Sequence, residues 1–134
     1  MIITSPFLLQ PAQRLAQYHT NQRGLKVKVV TLDKIYEEFS SGKQDIGAIR
    51  NLVRYVYENA SNPENRIKYL GILGDTSIDY KDRLPSNNLV VPTFHTLFSS
   101  STWTSYMSDD FFGMMDANPS TGNDEGLMGF NEKV

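Results

Sequence analysis

Two groups of carboxylates are the features of this sequence whose residue types and spacing could do chemistry. The first group follows an apolar run and consists of Asp75 and Asp79, with Asp82 close behind. Carboxylate oxygens are the hard ligands that calcium prefers, so this group is consistent with a cation site or a polar-substrate site. The alternative is turn chemistry, in which each aspartate accepts hydrogen bonds from nearby backbone amides.

The second group lies in the string SDDFFG at residues 108–113, where Asp109 and Asp110 are adjacent. On an extended strand neighbouring side chains point to opposite faces, so the two carboxylates share a site only if the backbone turns there. One of them could orient a histidine or bind a cation. The alternative is an exposed acidic pair that caps the start of a strand. If these residues form a cation site, the sequence predicts Asp75, Asp79 and Asp110 as its ligands and calcium as its ion.

Other chemical motifs are absent from the sequence. The chain has no cysteine, which excludes disulfides, thiolate metal sites and a cysteine nucleophile supplied by these 134 residues. It contains no GxGxxG, Walker A, HExxH or GxSxG pattern. His19 shares a predicted helix face with Leu15 and Ala16, which favours a packing role. His95 has no partner motif beside it, so the histidines alone do not define a catalytic centre.

The elements that must position these residues alternate between strand and helix. Apolar periodicity, turn residues and capping residues predict the order, with Pro11 in the first turn of the first helix and Asp45 as a helix N-cap. The predicted strands are residues 1–4, 25–32, 66–73, 89–97 and 111–115, and the predicted helices are residues 11–22, 33–39 and 46–59. This order predicts an α/β fold with a mostly parallel sheet and flanking helices, a Rossmann-like three-layer subdomain. In such sheets the functional crevice lies beyond the carboxyl ends of the strands, where Asp75 falls.

Length and charge restrict the function classes. A chain of 134 residues normally makes a single domain with its own core. Its net charge of -2 argues against a nucleic-acid binder. The charge is uneven, because residues 1–62 carry 8 Lys+Arg and 5 Asp+Glu, whereas residues 63–134 carry 5 and 10. No apolar run is long enough to span a bilayer, and Met1 is not followed by a signal-peptide pattern.

Eight strings in one order resemble the N-terminal part of the gingipain-type cysteine peptidase domain, and most of all the sortase-like members of the Bacteroidetes type IX secretion system. The strings are IIT at 2–4, KVKVVT at 26–31, IYEEFSSG at 35–42, AIRN at 48–51, YLGILGD at 69–75, DYK at 79–81, VPT at 91–93 and SDDFFG at 108–113. The resemblance covers nearly the whole chain.

This resemblance implies a caspase-like fold and peptide-bond cleavage by a Cys/His pair located further along the polypeptide. In the secretion sortases, that reaction removes C-terminal sorting signals from exported proteins and attaches the products to surface lipopolysaccharide. The resemblance also implies that Asp109 or Asp110 lies near the catalytic histidine, and that Asp75 belongs to the Gly-Asp after a core strand. It requires no cofactor. His19 and His95 do not match the family's catalytic histidine.

We therefore expect residues 1–134 to be a single subdomain of a larger cysteine endopeptidase that continues beyond Val134 and is exported to the cell surface or outer membrane. By itself this chain is expected to be inactive. Its expected partners are the remainder of the peptidase domain, the protein substrate of the whole enzyme, and a second copy paired through an exposed sheet edge. The alternative hypothesis is a non-catalytic, cation-dependent α/β binding module that uses Asp75, Asp79, Asp109 and Asp110.

Overall fold

The computed structural model describes residues 1–75, 91–95, 107–113 and 115. The strands are β1 (Ile2–Thr4), β2 (Val29–Thr31), β3 (Gly71–Leu73), β4 (Phe94–His95) and β5 (Met107–Ser108), and the helices are α1 (Leu9–Arg23), α2 (Leu32–Ser40) and α3 (Ile46–Glu58). Three short 3-10 helices cover Pro6–Leu8, Pro63–Asn65 and Asp110–Gly113.

The central sheet consists of three parallel strands in the order β2-β1-β3. Ile3 of β1 lies opposite Val30 and Ile72 in the two ladders. Consecutive strand residues point to opposite faces, so Ile2 and Ile3 enter different layers. Ile2 packs with Ala12 and Ala16 of α1, whereas Ile3 packs with the buried residues of α2 and α3. The predicted α/β class, with a parallel sheet between helices, is confirmed.

Local sequence explains where α3 begins and where α1 begins and ends. The side chain of Asp45 accepts a hydrogen bond from the Gly47 amide at 2.8 Å, which is the N-cap predicted for α3. Helix α1 begins at Leu9 rather than at Pro11, which lies in its first turn. It ends at Gly24, whose φ of +64° is the left-handed conformation that favours glycine. On the predicted core face of α1, Leu15 instead remains 39% exposed.

The strands of the sheet are shorter than the sequence predicts. The predicted strands at 25–32 and 66–73 form ladders only over their last residues, at β2 and β3. The limit is the start of β1, because Ile2 is its first residue and pairs with Val29 and Gly71, so the residues before Val29 and Gly71 lie outside the two ladders. The preceding apolar residues Val27 and Ile67 still pack against the two cores.

The prediction of a strand at 111–115 is wrong, because residues Asp110–Gly113 form a 3-10 helix. Adjacent residues of a strand point to opposite faces, whereas this turn lets Phe112 enter the core while the neighbouring ring of Phe111 stacks on Phe94. Of the predicted strand at 89–97, the pair Phe94–His95 forms β4, and residues 89–90 and 96–97 lie outside the described residues. No helix in the described ranges is long and apolar enough to cross a membrane.

Candidate carboxylate site at the edge of the fold

The second carboxylate group lies at the end of two short antiparallel strands. Strand β4 pairs with β5, and Phe94 lies opposite Ser108. After Ser108 the chain turns, because the amide of Phe112 donates to the carbonyl of Asp109 at 3.1 Å. The amide of Asp110 donates to Oγ of Ser108, also at 3.1 Å. The backbone therefore turns between the two aspartates, which was the condition for both to serve a single site.

The two adjacent carboxylates have different surroundings. Oδ1 of Asp109 accepts a hydrogen bond from Oγ1 of Thr93 at 3.1 Å. Thr93 is only 6% exposed, whereas Asp109 itself is exposed at the surface. Asp110 is exposed as well and begins the 3-10 helix, and within the described ranges its carboxylate has no hydrogen-bond partner. Among the described residues, Asp109 alone of the two aspartates has a hydrogen bond that holds its carboxylate.

Aromatic packing attaches this turn to the rest of the molecule. Phe112 is fully buried in the main core, and its ring makes an edge contact with Phe111 at 5.7 Å between centroids. Phe111 stacks on Phe94, with centroids 5.0 Å apart. The guanidinium carbon of Arg50, on α3, lies 5.7 Å from the Phe111 ring centroid, within the range of a cation–π contact. The turn that carries Asp109 and Asp110 is therefore anchored to helix α3.

Asp75 follows β3 at the carboxyl end of the parallel sheet and is exposed. Its carbonyl accepts a hydrogen bond from the amide of Val91 at 2.9 Å. Val91 is two residues from Thr93, and two residues of extended chain span about 7 Å. Asp75 and Asp109 are therefore both hydrogen-bonded to the segment 91–93, Asp75 through its carbonyl and Asp109 through its carboxylate. At that end of the sheet, Oγ1 of Thr4 donates to the carbonyl of Leu73 at 2.8 Å and ties β1 to β3.

The proposed cation ligands are placed only in part. Asp79 and Asp82 lie outside the described residues. Among the residues that the structure describes, no three His, Cys, Asp or Glu side chains come together in a way that could hold a metal ion. A calcium site built from Asp75, Asp79 and Asp110 therefore remains a prediction.

His19 does not reach the carboxylate turn. It lies on α1, which packs against the opposite face of the sheet from α3. Its ring contacts Tyr18 edge-on at 5.5 Å, and its Nδ1 atom is buried with no hydrogen-bond partner. His19 is half-buried, as the sequence predicts for a packing residue. His95 belongs to β4, where its backbone lies opposite Met107.

The sequence does not point to two of the residues that support the turn, Thr93 and Arg50. Arg50 had a usable signal, because it occupies a core position of α3 together with Ile46, Ile49 and Val53 at helical spacing. It is 9% exposed, and a buried charge requires compensating contacts. Thr93 had no such signal, because its acceptor lies 16 residues away along the chain.

The fold is a layered α/β structure, and its carboxylate turn is held by Thr93, in a segment whose Val91 is hydrogen-bonded to Asp75 after β3. Residues 1–129 match the family model of peptidase family C25. Because that match spans nearly the whole sequence, this chain belongs to peptidase family C25, the gingipain family.

A solved structure supports the same relationship. The crystal structure of dimeric latent PorU from Porphyromonas gingivalis matches with a TM-score of 0.66 and 30% sequence identity. The match covers 90% of this chain but only 12% of the PorU chain. No curated protein sequence matches the chain. The predicted resemblance to gingipain-type peptidases, and to the sortase of type IX secretion, is confirmed.

Proposed function

We propose that this chain is the N-terminal structural subdomain of a gingipain-like cysteine endopeptidase, and that it supplies a supporting carboxylate to an active site completed by other segments of the same polypeptide. The family membership supports the reaction class. The observation that supports this role for the chain is the carboxylate of Asp109. This carboxylate is exposed and accepts a hydrogen bond from the hydroxyl of Thr93.

The chemistry of this carboxylate follows from the general requirements of a thiol peptidase. A cysteine attacks a peptide carbonyl as the thiolate, and a neighbouring imidazole lowers the pKa of such a thiol. A carboxylate beside the imidazole fixes its tautomer and orientation through a hydrogen bond to a ring N–H. This chain has no cysteine, so the nucleophile comes from another segment of the polypeptide. The chain alone is therefore expected to have no peptidase activity.

The experiment begins with the gene. Sequencing beyond codon 134 should reveal a Gly-His-Gly type segment followed by a cysteine, and the polypeptide that includes them should cleave protein substrates. In that polypeptide, replacing the cysteine with alanine should abolish cleavage, whereas Phe7→Ala, at an exposed site in the 3-10 helix before α1, serves as the control. An open reading frame that closes without a histidine and a cysteine segment would exclude the peptidase.

We further propose that the whole enzyme acts in type IX secretion at the cell surface. The structural similarity to PorU supports this assignment. Its substrates would be exported proteins that carry C-terminal sorting signals, and its products would be attached to surface lipopolysaccharide. Deleting the gene should leave exported proteins with uncleaved C-terminal signals, which intact-mass measurement of secreted proteins detects. Normal processing in the deletion strain would contradict this assignment.

The alternative, a cation-dependent binding module, depends on Asp79 joining Asp75 and the carboxylate turn. A calcium titration followed by thermal melting of the chain separates the two hypotheses. A site that binds only the folded state raises the melting temperature in a saturable manner, by an amount set by the ratio of free calcium to the dissociation constant. We expect no saturable shift. A saturable shift that Asp75→Asn removes would favour the binding module.

Self-association through a sheet edge is a separate proposal. Strand β2 forms one edge of the three-stranded sheet, and an open edge presents unpaired backbone groups. The neighbouring Lys26 and Lys28 are exposed, and lysines at an edge oppose pairing. Sedimentation at increasing protein concentration tests this proposal. Edge pairing predicts a dimer, and Lys28→Val should strengthen the dimer because it removes a charge that opposes pairing. A monomer at all concentrations for both proteins would refute it.

A further inference from the structure

Of the two adjacent aspartates of the carboxylate turn, Asp109 accepts a hydrogen bond that fixes its side chain, and Asp110 accepts none from the described residues. A carboxylate that orients another group must itself have a fixed direction. Thr93 provides that direction for Asp109 through the hydrogen bond to Oδ1 at 3.1 Å. A threonine hydroxyl has a single proton to donate. Its other acceptor, the carbonyl of Ser108, is more distant at 3.4 Å, so the carboxylate is the better partner.

The donor is itself held firmly. Thr93 is 6% exposed and follows Val91, which is 1% exposed, and Pro92, which is also buried. The amide of Val91 is bonded to the carbonyl of Asp75 at 2.9 Å, which fixes the segment against the end of β3. Threonine is branched at Cβ and has few accessible χ1 rotamers. A buried hydroxyl also requires a partner, since an unpaired one is costly. The hydroxyl direction is thus set before any substrate arrives.

Within the part of the chain that the structure describes, the second carboxylate oxygen of Asp109, Oδ2, accepts no hydrogen bond. Among the described residues, Thr93 alone donates to this carboxylate. Because the residue is exposed, Oδ2 can accept a hydrogen bond from an incoming N–H group. Asp110 has the same chemistry but no donor in the described ranges to fix its side chain, and it occupies an exposed position at the start of a 3-10 helix.

We infer that Thr93 is a positioning residue that holds Asp109 in one orientation, and that Asp109, not Asp110, is the carboxylate that acts on the active-site imidazole. The first half of this inference rests on geometry alone. The second half rests on the proposed peptidase function. The two halves are therefore tested separately.

The positioning role is tested on this chain by NMR. Three-bond couplings from Cγ to the backbone nitrogen and carbonyl carbon report the χ1 rotamers of each aspartate. We expect a single rotamer for Asp109 and averaged couplings for Asp110. Thr93→Val keeps the shape of the side chain but removes the donor, so the couplings of Asp109 should become averaged while those of Asp110 stay the same. Thr93→Ser restores a hydroxyl and should restore the single rotamer.

Thermal melting checks that each variant is folded, and the couplings of the unmodified chain test the inference even if Thr93→Val does not fold. Averaged couplings for Asp109 in the unmodified chain would overturn the positioning role. An unchanged single rotamer in folded Thr93→Val would overturn it equally, because a purely structural threonine would leave the direction of Asp109 intact.

The catalytic half is tested in the longer polypeptide. Groups that orient metal-ligating side chains typically contribute about 10-fold to 100-fold to activity, and we take the same scale for a group that orients a catalytic carboxylate. Thr93→Val should therefore lower kcat by about tenfold with little change in KM, Thr93→Ser should recover most of it, and Asp109→Asn should lower kcat more than Asp110→Asn does. Absence of activity before any substitution would refute the proposed function and leave the coupling result standing. An active enzyme in which Thr93→Val has the original kcat would overturn this half.

Discussion

Replacing Phe112 with alanine should destabilise the protein more than any surface change. The side chain is fully buried in the core that joins the carboxylate turn to α3. Removing a buried phenylalanine costs about 3–5 kcal/mol, which includes the lost transfer free energy and the cavity left behind. The edge contact with Phe111, at 5.7 Å, adds an aromatic contribution within that range. Since domains of this kind unfold with about 5–15 kcal/mol, the loss is a large fraction of the total.

Urea denaturation measured by far-UV circular dichroism gives the free energy of unfolding for both proteins, and the melting temperature should fall by roughly 10–20 °C. Phe7→Ala is the matched control, because it makes the same chemical change at a site that is 69% exposed. It should change the free energy of unfolding by less than about 0.5 kcal/mol. If Phe112→Ala costs less than about 1 kcal/mol, the turn is not anchored by this ring and the argument for a fixed carboxylate fails.

Three further substitutions test the local chemistry. Asp45→Ala removes the N-cap of α3 and should lower the free energy of unfolding by about 1 kcal/mol in a urea melt; no change would contradict the capping role. Ser41 ends α2 with φ of +53°, so Ser41→Gly should raise the melting temperature by relieving the left-handed strain, and a decrease would refute this reason. Burial raises the pKa of Tyr36 to about 12, so the unfolded state loses this proton first and stability falls as the pH rises from about 10 to about 12. Tyr36→Phe should show a shallower loss in urea melts across that range, and equal slopes would contradict the shift.

Much of the fold could be predicted because its signals are local. Apolar periodicity and the cap at Asp45 locate α3, and Gly24 marks the end of α1. Alternation of strands with helices is sufficient to predict a parallel sheet. The strand lengths could not be predicted in this way, since they depend on how far β1 extends. That limit is set by β1, with which both strands pair, and it cannot be predicted from the residues of β2 or β3 themselves.

The candidate site could be predicted only as a string of residues. SDDFFG identifies the aspartates, but the pair of aromatic residues has the composition of a strand, and its turn arises from packing against α3. The bond from Thr93 to Asp109 joins residues 16 positions apart. The contact between Arg50 and Phe111 joins residues that are further apart still. Such contacts depend on the tertiary fold, so a local pattern cannot identify which aspartate is held.

The way in which the turn is anchored has a consequence for the proposed function, in which this turn supplies one part of an active site. A carboxylate that depended on a distant histidine for its position would be free to rotate in this chain. Here the direction of Asp109 depends on Thr93, and the position of the turn depends on Phe112 and on the ring of Phe111 beneath Arg50. All of these contacts lie within the described residues. Under the proposed function, an imidazole from another segment would meet an acceptor that is already oriented. The entropy cost of ordering the carboxylate would then be part of folding and not of the catalytic step.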